Sequence, residues 1–325
     1  MAGHEIGDAP SDSDVTAASA APTFSFELWP PRSPAAEEAL QFHLARLVAT
    51  RPEFISVTYG ANGSSRDGSL GVLRHLLENT DVSPMAHFTA VGSTFADASQ
   101  LLREFLDAGI TSFLALRGDP PDGVPEEELV LGDFRSASEL VQLIHGVQRE
   151  REPFVAHEVR GFPGAKRLGS GRKVTIAVAA FPNGHPLSRS RAQDIDTLLA
   201  KEAAGANLAI TQLFFEADDY LQLVDDAREA GVTMPILPGI QPVLSEKRLH
   251  RVLELSGEAM PTTLLHALRS SADPAAVGIA HAAALSRAVL AGGAPGIHLY
   301  TSNRSEAPLA ILDDVGLLTS REIPA

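Results

Sequence analysis

The sequence predicts an α/β protein built as a single (β/α)8 barrel, the TIM-barrel architecture, with insertions after strands 4 and 7. Three observations carry that expectation. Eight short apolar runs recur along the chain. Most of them start about 30 residues apart, the length of one strand–helix unit. Amphipathic stretches lie between them, and several end in Ala-Gly at Gly109, Gly205 and Gly231, as helix C-termini do. The rival, a doubly wound open sheet, should place a glycine-rich turn after its first strand, where this chain has WPPRSP.

The runs, in order, are FSFELW (24–29), FISVTYG (54–60), SPMAHFTAV (83–91), SFLALRGD (112–119), TIAVAAFP (175–182), LAITQLFF (208–215), PILPGIQPV (235–243) and GIHLYTS (296–302). Their nearly continuous apolar character fits strands buried on both faces of a parallel sheet. The first helical stretch, AEEALQFHLARLVAT, sets Leu40, His43, Leu44 and Leu47 on one face. The stretch FADASQLLREFLDAG does the same with Leu101, Leu102, Phe105 and Leu106. Two intervals are about twice the usual length. The first holds a Gly- and base-rich segment at 151–173, read as a loop or short excursion, and the second holds extra helices around 260–291. Residues 1–22, rich in small and acidic side chains, read as a disordered acidic tail, 23–318 as the barrel, and 319–325 as a C-terminal tail.

Composition narrows the function. Of 325 residues, 44% are hydrophobic and 21% charged, enough apolar material for a large core. Acids outnumber bases 41 to 26, for a net charge of −15, which argues against a nucleic-acid partner and against docking on an anionic membrane. No cysteine is present, so disulfides, thiolate metal sites and cysteine nucleophiles are excluded. No apolar run is expected to reach the ~18 residues of a membrane span; the nearest, AVGIAHAAALSRAVLAGG, is interrupted by His281 and Arg287. The start of the chain lacks the basic and apolar regions of a targeting segment. A cytoplasmic protein is the expectation.

Barrel chemistry sits at the C-terminal ends of the strands. Polar residues cluster there in the sequence: Glu27, Thr58 and Tyr59, His87, Arg117-Gly118-Asp119, His185, Gln212, and Tyr300 to Arg304. Glu27, flanked by Phe24, Phe26, Leu28 and Trp29, is expected to be desolvated, with a raised pKa suited to a general acid. Asp119 follows Arg117 and a glycine that permits close ligand approach. Trp29, at a strand end, reads as core. GAKRLGSGRK lacks the G-K-[ST] of a phosphate loop and precedes a strand, and no metal-binding spacing occurs.

The segments FELWPPR, VTYGANGSSRDGS, HFTA, ALRGDPP, AAFPNGHP, GANLAITQLFF, PGIQPV and HLYTSNR, in this order over residues 22 to 316, resemble the methylenetetrahydrofolate reductase family. The resemblance implies a (β/α)8 barrel that uses FAD to pass hydride from NADH or NADPH to 5,10-methylenetetrahydrofolate, giving 5-methyltetrahydrofolate. It implies that Glu27 is the general acid that assists opening of the folate five-membered ring, and that Asp119 sits between flavin and pterin. It assigns Gln212 and Arg304 to the folate. It assigns Thr58, Tyr59, His87, Arg117, Gly118, Asp119, Ala137, Phe181, His185, Asp194 and Lys201 to the cofactor. The expected partners are the folate and the nicotinamide, with a homo-oligomer in view because barrels of this family often self-associate. The chain departs from the family at Ser136 and Phe181, where tyrosines are usual, at Thr197 and Ala200, and at Arg248, which is glutamine in some relatives. These departures bear on the flavin more than on the folate, and leave two alternatives: direct hydride transfer from nicotinamide to folate, and a non-catalytic folate-binding paralogue.

Overall fold

The apolar runs do form a parallel sheet that curls into a barrel. The computed structural model describes residues 21–59, 66–89, 92–118, 132–151, 155–158, 166–169 and 174–318. The first half of the chain alternates β1 (Thr23–Leu28), α1 (Pro34–Ala49), β2 (Phe54–Val57), α2 (Arg66–Asn79), β3 (Ser83–Thr89), α3 (Phe95–Asp107), β4 (Ser112–Leu116) and α4 (Ala137–Arg151). A hairpin of β5 (Val155–Glu158) and β6 (Lys166–Gly169) follows. The second half runs β7 (Thr175–Ala180), α5 (Arg191–Ala203), β8 (Leu208–Thr211), α6 (Ala217–Glu229), β9 (Ile236–Leu237), β10 (Gly239–Ile240), α7 (Glu246–Ser256), α8 (Thr262–Ser270), α9 (Pro274–Ala291), β11 (Gly296–Tyr300) and α10 (Glu306–Asp314).

Around the sheet the order is β10-β11-β1-β2-β3-β4-β7-β8-β9, every pair parallel. The seventh barrel position is one sequence run split at Pro238. A proline has no N–H for the ladder, so Ile236–Leu237 pair with β8, Gly239–Ile240 pair with β11, and the ring closes through the proline. The Pro238 carbonyl still accepts from His298 N at 2.9 Å. Gly239 is required there, because a Cβ would stand 2.2 Å from the Thr211 carbonyl oxygen.

Helix starts follow the sequence chemistry. Ser33, Thr94, Ser190, Ser245 and Asp273 each accept a hydrogen bond from a first-turn N–H, and Pro34 and Pro274 open α1 and α9. Gly109, Gly205 and Gly231 have φ of 90°, 113° and 98°, the left-handed conformation that ends α3, α5 and α6. The face of α1 reads as expected, with Leu40, His43, Leu44 and Leu47 buried. On α3 the buried residues are Ala98, Leu102 and Phe105, while Leu101 and Leu106 are half-buried. Most core side chains pack between strands and helices. A smaller set, Phe54, Met85, Leu114, Ala177, Ile210 and Leu237, fills the barrel interior, one residue from each of six strands.

The insertions differ from each other. The segment after α4 was expected to be a loop or excursion; it contains an antiparallel hairpin that pairs Val155 with Gly169 and Glu158 with Lys166. The second insertion is helical, as expected. Its α9 does reach 18 residues with mean hydropathy 1.4, so the expectation that no run attains spanning length was wrong. His281 and Arg287 leave its composition apolar overall, but its buried side, including Ala282, Leu285 and Val289, packs against α6, α8, α10 and the adjoining strands. The tails at 1–20 and 319–325 lie outside the described residues.

Candidate active site

Strand alternation builds the centre of the site. On β1, Phe26 and Leu28 point outward into the helix-facing core, while Ser25 and Glu27 point into the barrel. The expected apolar surroundings of Glu27 are therefore wrong: Phe24, Phe26 and Leu28 lie on the opposite face, and the Trp29 indole meets the carboxylate with its N–H. Its other neighbours come from other strands. His87 Nε2 of β3 lies 3.4 Å from Glu27 Oε2, and His298 Nε2 of β11 lies 3.9 Å away. Thr58 Oγ1 donates to Oε1 at 3.4 Å, and the Trp29 indole N–H does so at 3.3 Å. Burial alone would push the Glu27 carboxyl up. The electrostatic pull of His87 and the hydrogen-bonding capacity of His298 and His87 outweigh it and hold the group well below the ordinary carboxylate range. Glu27 is thus an anion here, and the expected raised pKa is corrected to a lowered one. His298 is pushed down by burial, against the pull of Glu27, and is neutral at pH 7.

The turn after β11 frames one side. Ser302 and Asn303 both have positive φ, 52° and 59°, a conformation that asparagine tolerates better than most residues. The turn is pinned to β1: Asn303 Oδ1 accepts from Trp29 N and Nδ2 donates to Trp29 O, both at 2.8 Å. Thr301 Oγ1 donates to the Glu27 carbonyl at 2.7 Å, and Tyr300 OH donates to the Thr211 carbonyl at 2.7 Å. Trp29 is not core; it is 40% exposed, with the Arg248 guanidinium 5.6 Å above its ring. Ser245 caps α7 and thereby sets Arg248 on the rim, where Nη2 donates to Ser302 Oγ at 2.6 Å. Arg248 and Arg304 line a cleft of about 440 Å³ with Pro242, Leu244 and Ser302. Beneath Arg304, the buried His43 of α1 lies 3.5 Å from its Nη1 and 3.0 Å from Ser305 Oγ.

The residues expected to hold a cofactor occupy the neighbouring arc, on β2, β3, β4, β7 and their following segments. Thr58 and His87 meet at Glu27. Arg117 and Gly118 end β4, the glycine at φ 91°. Ala137 opens α4, whose first turn is tied by Glu139 N donating to Ser136 Oγ. Phe181 and His185 form an edge-to-face pair 4.7 Å apart after β7. Asp194 accepts from His185 N at 3.2 Å and from the Ser188 hydroxyl. Lys201 of α5 is buried, with Nζ 2.7 Å from the Ala179 carbonyl. Burial lowers the ammonium pKa to about 8, against the pull of Asp194. Tyr59 departs from the set: its ring packs edge-on against Phe105 in the outer core, 5.3 Å away, so its side chain is not on the rim. Gln212 is at the rim after β8, but its Oε1 already accepts from Leu213 N at 2.9 Å. Asp119 lies outside the described residues.

Comparison with known proteins decides the family. The model of the family described as methylenetetrahydrofolate reductase matches residues 13–316. The chain belongs to the methylenetetrahydrofolate reductase family. It is 31% identical over 297 residues to 5,10-methylenetetrahydrofolate reductase of Escherichia coli K12, covering 90% of each chain. It is 32% identical over 313 residues to a probable methylenetetrahydrofolate reductase (NADH) of rice. That match takes in 92% of this chain and 49% of the rice protein, so the chain spans about half the length of its plant relatives. Among solved structures, an uncharacterised Clostridium thermocellum protein that binds two copies of 5-methyl-5,6,7,8-tetrahydrofolic acid superposes with a TM-score of 0.61 at 13% identity, over 91% of this chain and 95% of that one. At that identity the likeness concerns the barrel fold. As a reductase-family barrel, the chain contains two site residues that its sequence left unassigned, Ser25 and His298, and it stacks Arg248 on Trp29 at the rim. A polar Ser inside the apolar FSF run and a His inside GIHLY were the signals available for the two residues.

Proposed function

We propose that this chain reduces 5,10-methylenetetrahydrofolate to 5-methyltetrahydrofolate, with NADH or NADPH as hydride donor and FAD as the bound cofactor. The observation that carries the reading is an anionic carboxylate, Glu27, at the barrel mouth between two imidazoles, in a chain of this family. FAD, when bound, supplies hydride transfer between nicotinamide and folate. The residues present fit such a group. Arg117 and the buried Lys201 provide cations for a pyrophosphate, and the desolvated Lys201 ammonium gains from an anion nearby. Thr58, His87, Gly118, Ala137, His185 and Asp194 lie along the same arc, and Asp119 is proposed on the family resemblance.

The chain's own part is to hold the folate and move a proton. Trp29 offers an exposed ring face, and Arg248 and Arg304 offer charge along the adjoining cleft. Gln212 stands after β8, at the rim, and is assigned to the folate on the family resemblance. Glu27 must carry a proton when the five-membered ring opens. Covering it with a ring system strengthens desolvation, which raises the carboxyl pKa from its low value. His87, 3.4 Å away, is placed to exchange that proton. Ser136, the position where tyrosine is usual, serves α4 through its hydroxyl. The relatives are named as reductases, which favours an enzyme over a non-catalytic binder.

The test is anaerobic NADH or NADPH oxidation driven by 5,10-methylenetetrahydrofolate, on flavin-stripped protein with and without added FAD. Turnover only with FAD is expected. Turnover without FAD would overturn the cofactor assignment, and no turnover with either donor would overturn the reaction.

A further inference from the structure

We propose that Ser25 and His298 form a buried positioning relay that fixes the Glu27 carboxylate from below. The proposal rests on the reductase reading only for which chemical step the relay serves. Ser25 and His298 are paired in register on adjacent strands, and both point into the barrel. His298 is fully buried, so it acts through Glu27 and not on a ligand. Ser25 Oγ and His298 Nδ1 are 2.8 Å apart. An ionised carboxylate can only accept, so the proton on His298 belongs at Nε2, facing Glu27, and Nδ1 accepts from the serine hydroxyl. Apart from Glu27 Oε2 at 3.9 Å, the buried Nε2 has no hydrogen-bonding partner among the described residues. The ring cannot swing away. It stacks on Phe54 at 5.7 Å and 20°, and meets Tyr300 edge-on at 5.4 Å. Serine therefore sets the tautomer, the two aromatic rings set the plane, and the remaining N–H is aimed at the carboxylate.

Five groups face Glu27, from four places: His87 on β3, His298 and Tyr300 on β11, Thr58 after β2, and Trp29 after its own strand. Tyr300 is pushed well above its ordinary pKa by burial and by Glu27, and keeps its proton on Thr211. His87 contacts the same oxygen as His298 but stands nearer the rim, on the arc that receives the cofactor. The relay thus supplies the support that remains when a ligand engages His87.

Two readouts test this. The first uses cofactor-free protein and no substrate: NMR of the Glu27 side-chain carboxyl as pH is lowered. The wild-type group is expected to stay ionised to the lowest pH the fold tolerates. In Ser25→Ala and His298→Gln, protonation should begin at higher pH, and Ser25→Thr, which keeps a hydroxyl, should restore the wild-type behaviour. The same onset in Ser25→Ala as in wild type overturns the relay, whatever reaction the chain performs. The second is the folate-dependent turnover of the FAD-loaded enzyme. Ser25→Ala should lower it about 10- to 100-fold and shift the acid limb of its pH profile. In a Glu27→Gln background, Ser25→Ala should lower the rate no further. Additive losses overturn the relay and leave Ser25 a structural residue. If wild-type protein shows no folate turnover, the reductase reading fails, while the titration still decides the relay. Should His298→Gln not fold, Ser25→Ala and Ser25→Thr carry both measurements.

Discussion

Two arcs of one rim are built on different principles. From β8 through β10 and β11 to β1, the site is cross-tied by side chains before any ligand arrives: Tyr300 to Thr211, Thr301 to Glu27, Asn303 to both sides of Trp29, and Ser25 to His298. From β3 through β4 to β7 and α5, the prominent feature is charge held at a cost. Lys201 is an ammonium in a nearly dry position, held among the described residues by the Ala179 carbonyl and the pull of Asp194. The first arc is preorganised, as a site must be when it positions a reacting group. The second is tuned for an anion whose arrival removes an electrostatic penalty, so that binding and stability are linked.

Glu27→Gln tests the preorganised arc most severely. It keeps the shape and both accepted contacts at Oε1 but cannot deliver a proton, so folate reduction should fall about 10²- to 10⁴-fold, the usual contribution of a general acid. Flavin reduction by the nicotinamide, followed by stopped-flow absorbance, should be spared. Equal loss in both steps would remove Glu27 from the proton role.

Lys201→Met tests the other arc. FAD retention should weaken about 10-fold or more, as expected for losing a charge-assisted contact of roughly 1.5–3 kcal/mol. The cofactor-free variant should nevertheless unfold no more easily than wild type at pH 7. The sign follows from linkage. Lys201 titrates near 8 when folded and near 10.5 when unfolded, so between those values the unfolded chain binds the extra proton and stability rises with pH. Below pH 8 the penalty is present in full. The melting-temperature gap between Lys201→Met and wild type should therefore narrow as pH climbs from 8 toward 10. A wild-type protein that loses stability over that range relative to the variant would contradict the assignment.

The same contrast explains what could be read from the sequence. Parallel strands buried on both faces leave an unbroken apolar signature, so all eight barrel positions were legible, as were the helix caps and the C-terminal glycines. The hairpin at 155–169 was not, since its Gly- and base-rich segment carries no such run. The environment of Glu27 was misread because neighbours in a strand face opposite ways, and its true neighbours arrive from β3 and β11. Rim membership was legible for Thr58, His87, Arg117, Gln212 and Arg304 from their place at strand ends. It failed for Tyr59, where alternation turns the ring into the core, and for Trp29, where a turn after the strand lifts the indole into solvent. Lys201, in the last turn of α5, owed its assignment to family resemblance; only packing reveals that its ammonium is dry.

Asn303 offers an intermediate perturbation. Asn303→Gly keeps the positive φ but removes both bonds to the Trp29 backbone. At about 1 kcal/mol per bond, roughly 2 kcal/mol of stability should be lost. Because Trp29 then loosens with its Arg248 partner, KM for the folate should rise more than kcat falls. Unchanged KM would detach Trp29 from the substrate side.

The mildest break is Tyr300→Phe. It deletes one hydroxyl and leaves the ring against His298 and Gly239 in place. The Thr211 carbonyl loses a donor, but Thr211 Oγ1 still accepts from Gly239 N at 2.8 Å, so the β8–β10 seam keeps a tie. About 1 kcal/mol of stability should go, seen as a few degrees in melting temperature. The Tyr300 ring also bounds the His298 imidazole, and that contact survives, so the pH profile of folate reduction should stay where it is. A shifted profile in Tyr300→Phe would mean that the hydroxyl itself communicates with Glu27, and that the preorganised arc extends through β8 as a single hydrogen-bonded unit and not as separate ties.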